Sequence, residues 1–176
     1  MKNRAIALFV AAASIAAIAC GDTTTPITTG PNPNVVTFKA TMTAANEVPA
    51  NSSTGTGTFT ATLDTSTNIF TYDLTFTGLS AAVTLGHIHG PAAVGVNAGT
   101  TIDFKTLAGS TFGVGLTSGA GHGVVTLNAA TQITQTPAPG INGDSLKKLL
   151  FAGLTYANVH TSANPGGEIR GQIIKQ

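Results

Sequence analysis

The residues of this chain best suited to chemistry are two histidines set one residue apart, in Gly86-His87-Ile88-His89-Gly90-Pro91-Ala92. Successive side chains of an extended strand point to opposite faces, so His87 and His89 share one face while Ile88 takes the other. Two imidazoles so placed can approach one metal ion or one anionic group, and imidazole suits copper, zinc and nickel. Gly90-Pro91 stops the strand, because proline has no N–H to give to a ladder. A second polar cluster comes late, Asn158-Val159-His160-Thr161 followed by Asn164-Pro165-Gly166-Gly167-Glu168-Ile169-Arg170. Where the two clusters meet, His160 completes a three-imidazole set with an open coordination position. Asn158, Glu168 and Arg170 are then the residues expected to orient the rings. Two plainer readings stand beside this one. The imidazoles can bond carbonyls or the Glu168 carboxylate and stitch loops together, or the strand face can be polar simply because it is solvated. Glu168 and Arg170 share a face by parity, which allows an ion pair between them or a bridge from Arg170 to the strand of Asn158 and His160. His122 stands apart among glycines and reads as an independent loop residue.

The elements that must position these residues are short strands. Val36, Phe38, Ala40 and Met42 alternate with polar residues, as do Phe59, Ala61 and Leu63, and then Phe70, Tyr72, Leu74 and Phe76. This period of two is the mark of half-buried strands. Asp64-Thr65-Ser66-Thr67-Asn68 joins the second and third as a hairpin. Val83 leads into the His-Ile-His strand. Further strands are expected at Thr100 to Leu107, Phe112 to Leu116, Gly123 to Leu127, Leu154 to Thr161 and Glu168 to Ile174. A short helix, capped by Asp144 or Ser145, is expected to run to Phe151 with Leu146, Leu149 and Leu150 on one face. Eight or nine short strands at regular spacing predict an all-β antiparallel sandwich or closed barrel with one short helix.

Charged residues make up only 9% of the chain, against 21 glycines and abundant threonine, a composition that favours strands over helices. No run of Lys and Arg offers a surface to phosphates, so nucleic acid is excluded as a partner. No Gly-x-Ser-x-Gly elbow or phosphate-cradling loop occurs, and carboxylates are few and scattered. A non-enzymatic protein is expected.

The first residues are of a different kind. Lys2 and Arg4 precede an uncharged apolar run from Ala5 to Ala16, the form of a secretory signal peptide over residues 1–19. Ala17-Ile18-Ala19-Cys20-Gly21 resembles the lipobox of bacterial lipoproteins, in which the cysteine is lipidated and becomes the first mature residue. Cys20 is the only cysteine of the chain, so no intramolecular disulfide can form. Removing residues 1–19 takes away Lys2 and Arg4 and turns the net charge from +1 to −1. Residues 20–34 are mostly Thr, Pro, Gly and Asn and read as a flexible tether. The remaining 35–176, about 140 residues, suffice for one core.

Taken together, Asn46-Glu47-Val48-Pro49, Leu74 to Leu79, Gly86 to Ala92, Tyr156 to Thr161 and Pro165 to Ile173 resemble the CHRD (chordin) domain in order, spacing and wording. Gly86 stands where that family usually has Ala, Ala157 where it often has Val, and Ala50 where a second Pro is common. The resemblance implies an extracellular β domain of immunoglobulin-like or Greek-key fold, in agreement with the strand count, found as repeats in animal chordin and singly in bacterial secreted proteins and lipoproteins. A further likeness is to the copper–zinc superoxide dismutases, which also carry a His-x-His strand in a Greek-key barrel. It would make His87, His89 and His160 copper ligands and Arg170 an anion guide; the disulfide and the separate zinc cluster of those enzymes have no counterpart here. The expectation is a binding or structural module of the cell envelope, held to the membrane through lipidated Cys20 and facing the periplasm or the exterior. Its partner would be a protein or a polysaccharide, and no cofactor is required. Copper or zinc at His87, His89 and His160 is the alternative.

Overall fold

A computed structural model describes residues 32–130, 132–133 and 141–176. The expected leader, the expected lipidation site Cys20 and most of the expected tether lie outside the described residues. In chain order the elements are β1 Val35–Thr43, β2 Thr56–Asp64, β3 Ile69–Thr77, β4 Val83–His89, β5 Thr100–Asp103, β6 Thr111–Phe112, β7 Gly119–Thr126, β8 Gln132–Ile133, β9 Ile141–Asn142, α1 Gly143–Phe151, β10 Tyr156–Thr161, β11 Ile169–Gln172 and β12 Ile174–Lys175. A 3-10 turn, Ala44–Asn46, follows β1. The fold is all-β and antiparallel, as expected. One curled sheet of ten strands runs in the order β5-β4-β10-β11-β1-β2-β3-β7-β6, with β12 also on β1, and β8 pairs with β9 in a small second sheet.

Strands β1, β2 and β3 form a meander in full register, Phe38 against Ala61 and Ala61 against Tyr72. Their inward set, Phe38, Ala40, Met42, Phe59, Leu63, Phe70, Tyr72, Leu74 and Phe76, is buried, and their outward set is mostly threonine. From β3 the chain crosses to the far side, where β4 pairs with β10, and returns so that β7 flanks β3. The sheet curls until its ends approach one another. Val83 N–H donates to the Leu116 carbonyl at 2.9 Å and Gly115 N–H to the Val83 carbonyl at 2.8 Å, which draws the segment after β6 onto β4. Inside the curl, Tyr72 and Phe104 pack with ring centroids 4.7 Å apart and Phe104 meets Phe112 at 5.7 Å.

Several expected boundaries move, each for a local reason. The strand expected over Thr100 to Leu107 stops at Asp103, whose carboxylate accepts the Lys105 N–H at 2.8 Å and turns the chain. Phe112 to Leu116 is strand only at Thr111–Phe112, because Gly115 takes φ +85° in a turn. Strand β7 begins four residues earlier than expected. Its inward face is Gly119, Gly121 and Gly123, and a Cβ at Gly123 would stand 2.5 Å from the Tyr72 ring. Close approach of that ring requires glycine there, and glycines give no hydrophobic alternation to read. The helix is capped by Asn142, whose Oδ1 accepts the Ser145 N–H at 2.9 Å, in place of Asp144 or Ser145. Asp144 instead pairs with Lys147 at 2.8 Å. Leu146 and Leu150 close the core from the helix.

Candidate functional site

Strands β4, β10 and β11 have two differently built faces. Ile88, Ala157, Val159 and Ile169 point into the core. By strand parity His87 and His89, then Tyr156, Asn158 and His160, then Arg170 and Gln172, point the other way. Cross-strand register sets Asn158 beside His87 on one side and Arg170 on the other, and Tyr156 beside His89. This outer face is polar yet buried, for loops 44–55, 90–99 and 162–168 cover it. His87, His89, Asn158, His160, Glu168 and Arg170 are each 9% exposed or less. The structure therefore brings the early and late clusters together under a roof of loops.

The three imidazoles form one group, with one ring nitrogen from each within 4.8 Å of the others. His160 Nδ1 lies 2.9 Å from the Pro165 carbonyl and His89 Nδ1 lies 2.9 Å from the Ala98 carbonyl. A carbonyl oxygen only accepts, so both Nδ1 atoms carry the proton. His160 Nε2 is left with a lone pair, and His87 Nδ1, 3.0 Å away, donates to it. His89 Nε2 lies 3.1 Å from Oδ1 of Asn158. A neutral His89 that donates from Nδ1 needs the NH2 end of that carboxamide at Nε2, a half-turn of the amide. All three rings are held neutral. Burial, then the neighbouring His160 and His89, push His87 down to about 3. Burial pushes His89 down to about 4, against the bond to Ala98, and lowers His160 as well, against the bond to Pro165.

Arg170 and Glu168 do not pair with each other. Arg170 donates to Asn97 Oδ1 at 2.9 Å and to the Val96 carbonyl at 2.7 Å, and so grips loop 90–99. Its guanidinium lies 3.4 Å over the Tyr156 ring, and Tyr156 stacks on His89 at 4.8 Å with an interplanar angle of 5°. Glu168 accepts from Ser53 Oγ at 2.6 Å, from Ser80 N at 2.6 Å and Oγ at 2.9 Å, and from Thr161 Oγ1. None of these partners is a histidine, so the expected bond from Glu168 to the imidazoles is replaced by a clamp on the loops. Burial raises the Glu168 carboxyl, but these bonds outweigh it and hold the group down at about 2. Asn158 does meet His89 and Arg170 reaches it through Tyr156. His122 lies on β7, outside the cluster, 2.8 Å from Asp73.

Glu47 is the member of the polar layer that sequence reasoning did not assign. It hangs from loop 44–55 into the polar layer, 6% exposed, where its carboxyl meets Asn158 and feels Arg170. Its Oε1 has no hydrogen-bond partner among the described residues. Burial, the largest influence, raises it to about 7 against the pull of Arg170. Its place in Asn46-Glu47-Val48-Pro49 was the available signal. Gly167, at φ +129°, leaves room for it, since a Cβ there would strike the carboxyl.

The family model of the CHRD domain matches residues 38–173 of the chain. That span takes in every strand of the large sheet from the core of β1 to β11. No curated protein and no solved structure matches the chain.

Proposed function

Since the chain belongs to the CHRD domain family, we propose that it is a non-enzymatic binding module displayed at the cell envelope on a lipid attached to Cys20. The single observation that carries this reading is the family match over residues 38–173, behind a leader-like segment ending in Ala19-Cys20-Gly21. The tether between Cys20 and the first described residue, Asn32, is long enough to hold the domain a few nanometres from a bilayer. The partner is a protein or a polysaccharide on the same side of the membrane. The polar layer supports a binding role over a catalytic one. Its hydroxyls, carboxamides and guanidinium are bonded to loop backbone or to one another, and none is paired with a nucleophile.

Cell fractionation of the full chain tests the anchor. The wild type is expected in the membrane fraction, released by detergent and not by high salt, and to incorporate a labelled fatty acid. Cys20→Ser should lose the label and leave the membrane. Retention of Cys20→Ser in the membrane, or absence of label in the wild type, overturns the reading.

A further inference from the structure

We propose that His87, His89 and His160 form a binding site for one imidazole-preferring transition-metal ion, copper ahead of zinc. The geometry carries this. Two imidazole nitrogens bound to one ion at about 2.0–2.1 Å with a tetrahedral angle stand about 3.3 Å apart. His87 Nδ1 and His160 Nε2 are 3.0 Å apart, close to a chelating separation, and one nitrogen from each of the three rings lies within 4.8 Å of the others. The His89 and His160 rings are each fixed from behind by an Nδ1–H bond to a backbone carbonyl, Ala98 and Pro165. That anchoring orients a metal-binding imidazole and selects its Nε2 as the ligand atom. His87 donates its Nδ1 proton to His160 while the ion is absent. Moving that proton to Nε2 of the same ring frees Nδ1 as the third ligand, so three neutral rings bind the ion with no net proton released. His89 Nε2 exchanges its bond to Asn158 for a bond to the ion.

The donor set also selects the ion. It offers nitrogen alone, with neither thiolate nor carboxylate among the three, which disfavours magnesium, calcium and manganese. Among first-row divalent ions the affinity of such a set peaks at copper. Arg170 is the cation facing the site. Its guanidinium lies over the Tyr156 ring and donates to Asn97 and Val96, away from the imidazole nitrogens. Each ring keeps 7–9% exposure, so none is fully sealed from solvent.

The test uses the full chain, extracted in detergent, stripped with a chelator and titrated with Cu(II) and separately Zn(II) against a competing chelator. One equivalent of Cu(II) is expected, bound more tightly than Zn(II), with an electron-spin signal split by imidazole nitrogens. His160→Gln and His89→Gln should each weaken copper by at least about 100-fold, while His122→Gln leaves affinity unchanged. The wild-type spectrum decides even if a histidine variant fails to fold. No uptake by wild type, a copper signal without imidazole nitrogen splitting, or binding abolished by His122→Gln overturns the proposal. Undiminished binding by a folded His89→Gln overturns it too.

Discussion

Arg170 lies face-on over Tyr156, its guanidinium carbon 3.4 Å from the ring centroid, and Tyr156 passes that contact on by stacking against His89. A buried cation is thereby held without a carboxylate in direct contact. The planar fork satisfies Asn97 and Val96 at the same time. Lysine has the charge but neither the plane nor the fork. Arg170→Lys is expected to cost about 2 kcal/mol of unfolding free energy, read from urea denaturation. Hydrogen exchange should rise first in residues 93–98, the loop that Arg170 grips.

Glu168 is a carboxylate saturated with donors from three separate segments, Ser53, Ser80 and Thr161. Glu168→Gln would put an NH2 group against those donors and is expected to cost about 3 kcal/mol. The Glu168 carboxyl is depressed to about 2 from 4.5. Its stabilisation is therefore present above pH 4.5 and lost as pH falls through about 2. Urea midpoints measured from pH 5 to pH 2 should fall less steeply in Glu168→Gln than in the wild type.

The polar layer contains groups that pull stability in opposite directions with pH. His87 and His89 are depressed from 6.5 to about 3 and about 4. The unfolded chain takes up those protons first, so their contribution is present above pH 6.5 and lost as pH falls through the folded values. Glu47 is raised from 4.5 to about 7, so its contribution is present below pH 4.5 and lost as pH rises through about 7. For metal-free protein, Glu47→Gln is expected to raise the melting temperature more at pH 8 than at pH 5. His89→Gln should flatten the loss between pH 6.5 and 4. Parallel shifts at both pH values for Glu47→Gln would contradict the assignment.

Gly86 faces inward, and the space beside it is filled by Phe112 from β6. A Cβ at Gly86 would stand 2.9 Å from Phe112 Cε2 and 3.0 Å from Phe104 Cδ2, too close without movement. Gly86→Ala is expected to destabilise by about 1–3 kcal/mol through overpacking. In a double-mutant cycle with Phe112→Leu the two changes should be less than additive, by about 1 kcal/mol. Simple additivity would mean that the ring does not fill the space the methyl needs.

Helix α1 tests local rules alone. Asn142 accepts the Ser145 N–H, and Asn142→Ala is expected to cost about 1 kcal/mol by thermal denaturation, whereas Asp144→Asn should change stability by less than about 0.5 kcal/mol.

Much of the fold was legible in the residues because the period of a strand follows from backbone geometry alone. Phe38, Ala40 and Met42, or Phe70, Tyr72, Leu74 and Phe76, declare an inner face wherever the strand is placed. The same parity put His87 and His89 on one side and Ile88 on the other. Where the inner face is glycine, as in β7, that signal vanishes, because what those positions accommodate is the bulk of Tyr72 and Phe112 from other strands.

By itself, then, the sequence determined the strand faces, the stop at Gly90-Pro91, the apolar face of α1 and the family. Which strands are neighbours was decided only in three dimensions. His87 and His160 are 73 residues apart, and no local rule states that β10 will lie beside β4 with Asn158 opposite His87. That choice rests on the joint packing of Ile88, Ala157 and Val159 against the shared core. Once it is made, parity carries His160, Asn158 and Tyr156 to the outer face. The same choice brings Glu168 to Ser53 and Ser80, away from the imidazoles. Loop closure then lowers Glu47, with no periodicity of its own to announce it, into the layer beneath.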